Sequence, residues 1–158
     1  MLKWTMMVVG MFIVLLGGVV ACAAETPPSS APPAGAPSVS PSGNSIGGYN
    51  ELVAALRAAG ATVEPAGNVE QLFFTVRGRI VKVNGGDVQV YEFSDNAAME
   101  QQAATVSPAG SPVGTTMISW VAPPHFYKKG RVIALYVGDE PKVKDALAAV
   151  LGAQFAGR

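Results

Sequence analysis

The chain opens on an apolar run that withdraws its first residues from any water-soluble fold. From Trp4 to Ala24 no side chain is charged, Lys3 stands before the run, and the run closes on Val19-Val20-Ala21-Cys22. A basic start, an apolar middle and small residues before a cut site are the parts of an export signal. Cys22 is the only cysteine among the 158 residues, so no internal disulfide can form and the fold must rest on core packing. From Ala23 to Gly48 the chain is mainly Pro, Ser, Gly and Ala, with Glu25 as its one charge. Such a segment has too little to bury and is expected to remain a disordered, partly polyproline tether, roughly 25 to 30 Å from end to end.

Val19-Val20-Ala21-Cys22 resembles the lipobox of bacterial lipoproteins. The resemblance implies that diacylglycerol alkylates the Cys22 thiol, that a peptidase cuts before it, and that the mature chain begins there. Two acyl chains anchor stably where one is marginal. The same run also reads as an uncleaved helix, because roughly 20 apolar residues span a bilayer. The topology is then unchanged, since Lys3 stays on the cytoplasmic side by the positive-inside bias. Ala23, not aspartate, follows Cys22, so the inner-membrane retention signal of some Gram-negative bacteria is missing and the choice of membrane stays open. The expected organisation is a signal over 1–21, a lipidated Cys22 with its tether over 22–48, and one domain over 49–158, exported and held on the extracytoplasmic side.

Acidic and basic residues balance at 11 each. No net field is available to steer the chain to nucleic acid, and that class of partner is set aside. A domain of roughly 110 residues buries enough apolar surface to fold without staples.

Within 49–158 the periodicities alternate between helix and strand. Asn50 as N-cap, Leu52, Val53 and Leu56 on one face and Gly60 as stop predict a first helix. Thr62 to Glu64 reads as a short strand ended by Pro65, with a turn at Ala66-Gly67-Asn68. Residues 72–76, 79–84 and 87–93 are β-branched and aromatic, separated by Arg77-Gly78 and Gly85-Gly86, and read as an antiparallel meander with one buried and one wetter face. Ser94-Asp95 caps a second helix carrying Met99, Ala103 and Val106, with Pro108 as stop. Residues 115–121 read as a central strand and 131–137 as a strand covered on both faces. Asp139 and Pro141 open a last helix whose stripe is Val143, Leu147, Val150 and Leu151, ended by Gly152, and Phe155 is expected to pack back on the sheet. The fold class is α+β, an antiparallel sheet of about five strands with helices packed against it, in the order α-β-βββ-α-ββ-α. Residues 88–100 and 132–144 echo each other as strand, Asp, helix, which reads either as a ββα unit used twice or as a coincidence of Asp caps after strands.

The runs Phe73 to Phe93, Ile118 to Arg131 and Leu135 to Asp139 resemble a group of short bacterial lipoproteins and secreted proteins of no assigned function. The resemblance covers nearly all of the chain after Tyr49 and implies a location and a domain outline, with no activity.

Chemical templates fail one by one. With one histidine and one lipid-committed cysteine no zinc set assembles, no Ser-His-Asp elbow is present, and Gly47-Gly48 and Gly85-Gly86 match no phosphate loop. Asp139-Glu140 reads as helix-terminal charge, not as an acid/base pair. No cofactor or metal is implied, and the chain is expected not to be an enzyme. The most concentrated stretch is Trp120 to Arg131, where Trp120, His125, Phe126 and Tyr127 stand beside Lys128, Lys129 and Arg131. Aromatics beside cations suit an anionic or aromatic ligand, a lipid headgroup or an envelope protein. Arg77 and Arg79 would join them if the hairpin ends are neighbours. The plain alternative is a β-connection with its rings in the core edge and its lysines in water. His125 alone reads as a hydrogen-bonded surface residue. Of Phe73-Phe74, one ring is expected in the core and one at the sheet margin. A binding module, an accessory subunit of an envelope complex and a small hydrolase or transferase are the three functional classes left, in that order.

Overall fold

The computed structural model describes residues 46–158; the apolar run, Cys22 and the tether up to residue 45 lie outside them. The fold is built outwards from one hairpin. β2 (Gly78–Val83) and β3 (Gly86–Glu92) pair antiparallel, with Val83 facing Gly86 at the closed end. Only Asn84 and Gly85 remain to turn the chain, and both hold positive φ, 49° and 89°. A two-residue loop needs that left-handed pair to match the strand twist, and Asn-Gly adopts it at little steric cost. The turn therefore falls one residue before the expected Gly85-Gly86. Gly86 is a paired strand residue, and a Cβ there would press on Val143 and Tyr136.

The sheet has six strands in the order β1-β2-β3-β5-β4-β6, each antiparallel to its neighbours. β1 (Val63–Val69) runs straight through the expected stop at Pro65. Pro65 faces Val81, the register slips between Pro65 and Gly67 as a bulge, and an edge strand tolerates the missing N–H. β4 (Pro124–Lys129) and β5 (Val132–Val137) make the second hairpin, and β6 (Ala156–Gly157) lies outside β4.

Two of the expected strands do not form. Residues 72–76 belong to the connection between β1 and β2, where Phe74 is buried, Phe73 half-buried and Leu72 98% exposed. Thr75 N–H donates to Gln102 Oε1 at 3.3 Å instead of entering a ladder. The run lies past the end of β1 with no ladder partner, and its rings fill the α2 face from a connection instead. Residues 115–121 do keep the alternation, with Ile118 and Trp120 packed inwards and Met117 and Val121 outwards. They join no strand of the sheet, and β4 takes the place expected for them.

α1 (Tyr49–Ala58) buries Leu52, Val53 and Leu56 as its spacing requires. Its N-cap is Gly48, not Asn50, which lies inside the first turn. A side chain at Gly48 would meet Glu92 Oε1 at 2.5 Å and Arg131 Nη2 at 2.9 Å, so it would have to displace the Glu92–Arg131 ion pair. α3 (Pro141–Leu151) has Pro141 at its first turn and Glu140 at the cap, with Asp139 just outside. α1, α3 and the buried Ile46 cover one face over Val81, Val83, Val88 and Val90. Ile46 thus extends the packed domain three residues before its expected start. α2 (Asn96–Ala103) and the connections around it cover the other face over Tyr91, Phe93, Ile133 and Leu135. α2 ends well before Pro108, and Val106 sits in an isolated bridge with Val113.

The expected wetter face stays wet along β2 and β3 at Lys82, Asp87 and the half-buried Gln89, and is covered only towards Tyr91 and β5. This placement also bears on the ββα echo. The twofold axis of the antiparallel β3·β5 pair stands normal to the sheet and would put both following helices on one side; α2 and α3 lie on opposite sides.

Asp95 caps α2 by accepting from the Ala98 N–H at 2.8 Å, and Ser94 Oγ–H donates to it at 3.0 Å. These bonds hold its carboxyl below the ordinary aspartate value, as the Lys144 ammonium does for Asp139. A carboxylate depressed in the folded state stabilises above its unfolded value, and that support is lost as pH falls through the folded one. Thermal midpoints should therefore drop on acidification below about pH 4, and Asp95→Asn should shrink the drop. An acid limb identical in Asp95→Asn would remove Asp95 from this account.

Candidate functional site

β4 and its flanks deal the expected aromatic and cationic cluster out to two faces. Alternation along the strand sends His125 and Tyr127 towards α3 and Phe126 towards α2. His125 is 3% exposed, a correction to its expected place at the surface. β4 is an inner strand between β5 and β6 and is roofed by α3, so its side chains are covered. The imidazole stacks on Tyr136 at 6.1 Å, and Nδ1 lies 2.7 Å from Gln154 Oε1. An amide oxygen only accepts, so Nδ1 is the donor in this contact, and Nε2 is buried with no partner among the described residues. Burial raises the Tyr127 hydroxyl above its ordinary pKa, and does so more strongly for Tyr91, whose hydroxyl donates to Gln89 Oε1 at 2.6 Å.

The cations are engaged from within. Lys128 pairs with Glu100 and lies over the Phe155 ring at 5.2 Å. Phe155 itself packs on the sheet as expected, 6.1 Å from Phe126. Lys129 Nζ donates to the Val150 carbonyl at 2.8 Å, in the last turn of α3, where a positive charge also meets the negative end of the helix. Arg131 donates to Glu92 Oε1 at 2.6 Å and to the Gly47 carbonyl. Arg77 pairs with Glu70 at 2.5 Å, and Arg79 stacks over Tyr49 at 4.4 Å. Gly78 and Lys128 stand at one end of the sheet but three strand spacings apart, about 14 Å, so the arginines do not join the lysines.

Of the expected cluster, Trp120 is the residue that reaches an open cavity. Its Nε1–H donates to the Gly110 carbonyl at 2.9 Å, and its ring stands edge-on to Phe126 at 6.0 Å and to Phe73 at 6.2 Å. Ser111 Oγ ties the same segment down by donating to the Ile118 carbonyl and accepting from its N–H, at 3.0 and 3.1 Å. The result is a cleft of about 480 Å³ whose walls include Met117, Ile118, Trp120, Pro123 and Pro124, with Arg158 at its rim. Two further clefts, near Lys82 and Lys142 and near Arg77 and Arg79, are polar.

Sequence reasoning missed Met117 and Arg158 at the cleft, and the exposed Leu72 and Val121 on the connections over the same face of the sheet. A signal was present: from Gln101 to Tyr127 the chain has no Asp, Glu, Lys or Arg. Among the described residues no three of His, Cys, Asp and Glu converge as metal ligands would. Compared with protein-family models, with curated proteins and with solved structures, the chain matches none of them.

Proposed function

We propose that the chain is an exported module, anchored to a membrane through Cys22, that binds a ligand or partner on the extracytoplasmic side without catalysing a reaction. The observation that carries the reading is the single cysteine at the foot of the apolar run, directly before a Pro/Ser/Gly segment and a packed domain. The resemblance to short bacterial lipoproteins points the same way. Support for binding comes from the cleft beside Trp120. Its volume of about 480 Å³ falls within the usual range for small-molecule sites, its walls are more apolar than polar, and Arg158 offers one cation to an anionic group. A second reading, an accessory subunit of an envelope complex, is favoured by the exposure of Leu72 and Val121, 98% and 97%.

Cys22→Ala tests the anchor. The expected outcome in cells is an unprocessed precursor that no longer yields the mature band in the detergent phase; an unchanged mature mass would refute lipidation at this residue. A thermal-shift screen of the chain against lipid headgroups, cell-wall fragments, nucleotides and small metabolites tests the binding. A ligand at 100 times its Kd adds about 2.7 kcal/mol, on the order of 10 °C for a domain of this size. Loss of the shift in Met117→Asp and Arg158→Glu places the ligand in the cleft, and no shift across the panel counts against a small ligand.

A further inference from the structure

The layer over the α2 face of the sheet is unlike the rest of the surface. It is made largely of two connections, 70–77 and 104–123, joined where the Phe73 and Trp120 rings meet at 6.2 Å. Three large apolar side chains on them point into solvent: Leu72 at 98%, Val121 at 97% and Met117 at 78% exposure. Exposed connections in water normally carry charge, yet the whole span from Gln101 to Tyr127 carries none, and 70–77 carries only Glu70 and Arg77, which pair with each other. The one charged side chain beside the cleft is the cationic Arg158. A half-buried indole at the base of such a surface is the side chain that favours a membrane-water boundary, because its ring is apolar and its N–H polar.

We infer that this face, with Leu72, Met117 and Val121 at its crest, rests against the lipid bilayer to which the chain is attached. The inference deepens the proposed function and rests on its anchor. Either reading of the apolar run, lipidated Cys22 or uncleaved helix, leaves the residues after Ala24 at a membrane surface. From Cys22 to Ile46 the chain is long enough to reach about 80 Å at full extension, so the domain is always within touching distance of that bilayer. Tethering makes the contact intramolecular, and three apolar side chains too weak to recruit a free domain then suffice to orient a tethered one. Arg158 adds an attraction to lipid phosphates. The cleft beside Trp120 accordingly faces the headgroups.

The test separates docking from anchoring. Cys22 is the sole thiol, so the chain from Cys22 onward can be coupled to a maleimide lipid in vesicles of equal parts phosphatidylcholine and phosphatidylglycerol, whether or not cells acylate it. Trp120 is then the only tryptophan and reports directly. Its emission is expected to be quenched by lipids brominated near the headgroup end of their chains. The double variant Leu72→Asp, Val121→Asp should lose the quenching at an unchanged thermal midpoint, since both side chains are in solvent. Equal emission in brominated and ordinary vesicles would overturn the inference and leave the anchor standing. A dimer in sedimentation that the same double variant dissolves would assign the face to a second copy and overturn it too. Failure of Cys22 to be acylated in cells, with quenching intact in the coupled vesicles, would remove the native anchor alone.

Discussion

Phe126→Ala is expected to lower stability by about 3–5 kcal/mol, the range for deleting a buried phenylalanine ring. Phe126 is fully buried on β4, faces Leu135 on one side and Ala156 on the other, and stands 6.0 Å from Trp120 and 6.1 Å from Phe155. Those contacts come from three different parts of the chain, so no single neighbour can move in to fill the space. At about 4 °C per kcal/mol for a domain of this size, the thermal midpoint should fall by about 12–20 °C. Because Trp120 and Phe155 lean on the same ring, the cleft and the β6 edge should loosen with it, and fluorescence of Trp120 should shift before the global transition. Leu72→Ala is the matched control. Its side chain is 98% exposed, and its effect should stay within about 0.5 kcal/mol. A Phe126→Ala midpoint within about 4 °C of wild type would mean that the α2 face does not hold the core described above.

Local periodicity made the helices and the first hairpin legible. Leu52, Val53 and Leu56, or Val143, Leu147 and Val150, can lie on one side of a helix in only one way, and glycines between valine-rich runs mark a hairpin, although its turn sits one residue earlier than expected, at Asn84-Gly85. β4 was hidden because its identity is set by its partners. Pro124 and two lysines look like a connection, yet β5 on one side and β6 on the other complete their ladders with it. Residues 115–121 failed in the opposite sense: they have the alternation of a strand, but only Thr116 pairs, in an isolated bridge with Val113, and no strand of the sheet takes them up. The candidate site was half legible for the same reason. Trp120 was visible from its company, but the groups that neutralise Lys128 and Arg131, Glu100 and Glu92, stand 28 and 39 residues away in the chain. Non-local partners turn a cationic patch into three internal contacts, and no window of sequence contains both halves of such a contact. The burial of His125 is non-local as well, since it depends on β6 and α3 closing over β4 from the far end of the chain.

Gly130→Ala should cost nearly as much as the loss of Phe126, because its turn carries the first packed residue of the domain. Gly130 turns the β4-β5 hairpin at φ 61°, and a Cβ there would overlap the carbonyl oxygen of Ile46. Left-handed backbone costs an alanine about 1–2 kcal/mol by itself. The overlap then forces residues 46–48 off the hairpin, and with them the seat of Ile46, worth about 1.5–3 kcal/mol of burial. The Gly47 carbonyl that receives Arg131 and the Gly48 cap of α1 belong to the same three residues, so the start of α1 should fray as well. Gly114→Ala isolates the backbone part, because Gly114 holds φ 58° with nothing within 4 Å of the added methyl. The difference between the two substitutions therefore measures the Ile46 seat. Ile46→Ala should be strongly destabilising alone and nearly silent on top of Gly130→Ala, a coupling that chemical denaturation of the four chains reads directly. Equal costs for Gly130→Ala and Gly114→Ala would show that Ile46 is not seated there, and the domain would then begin at α1.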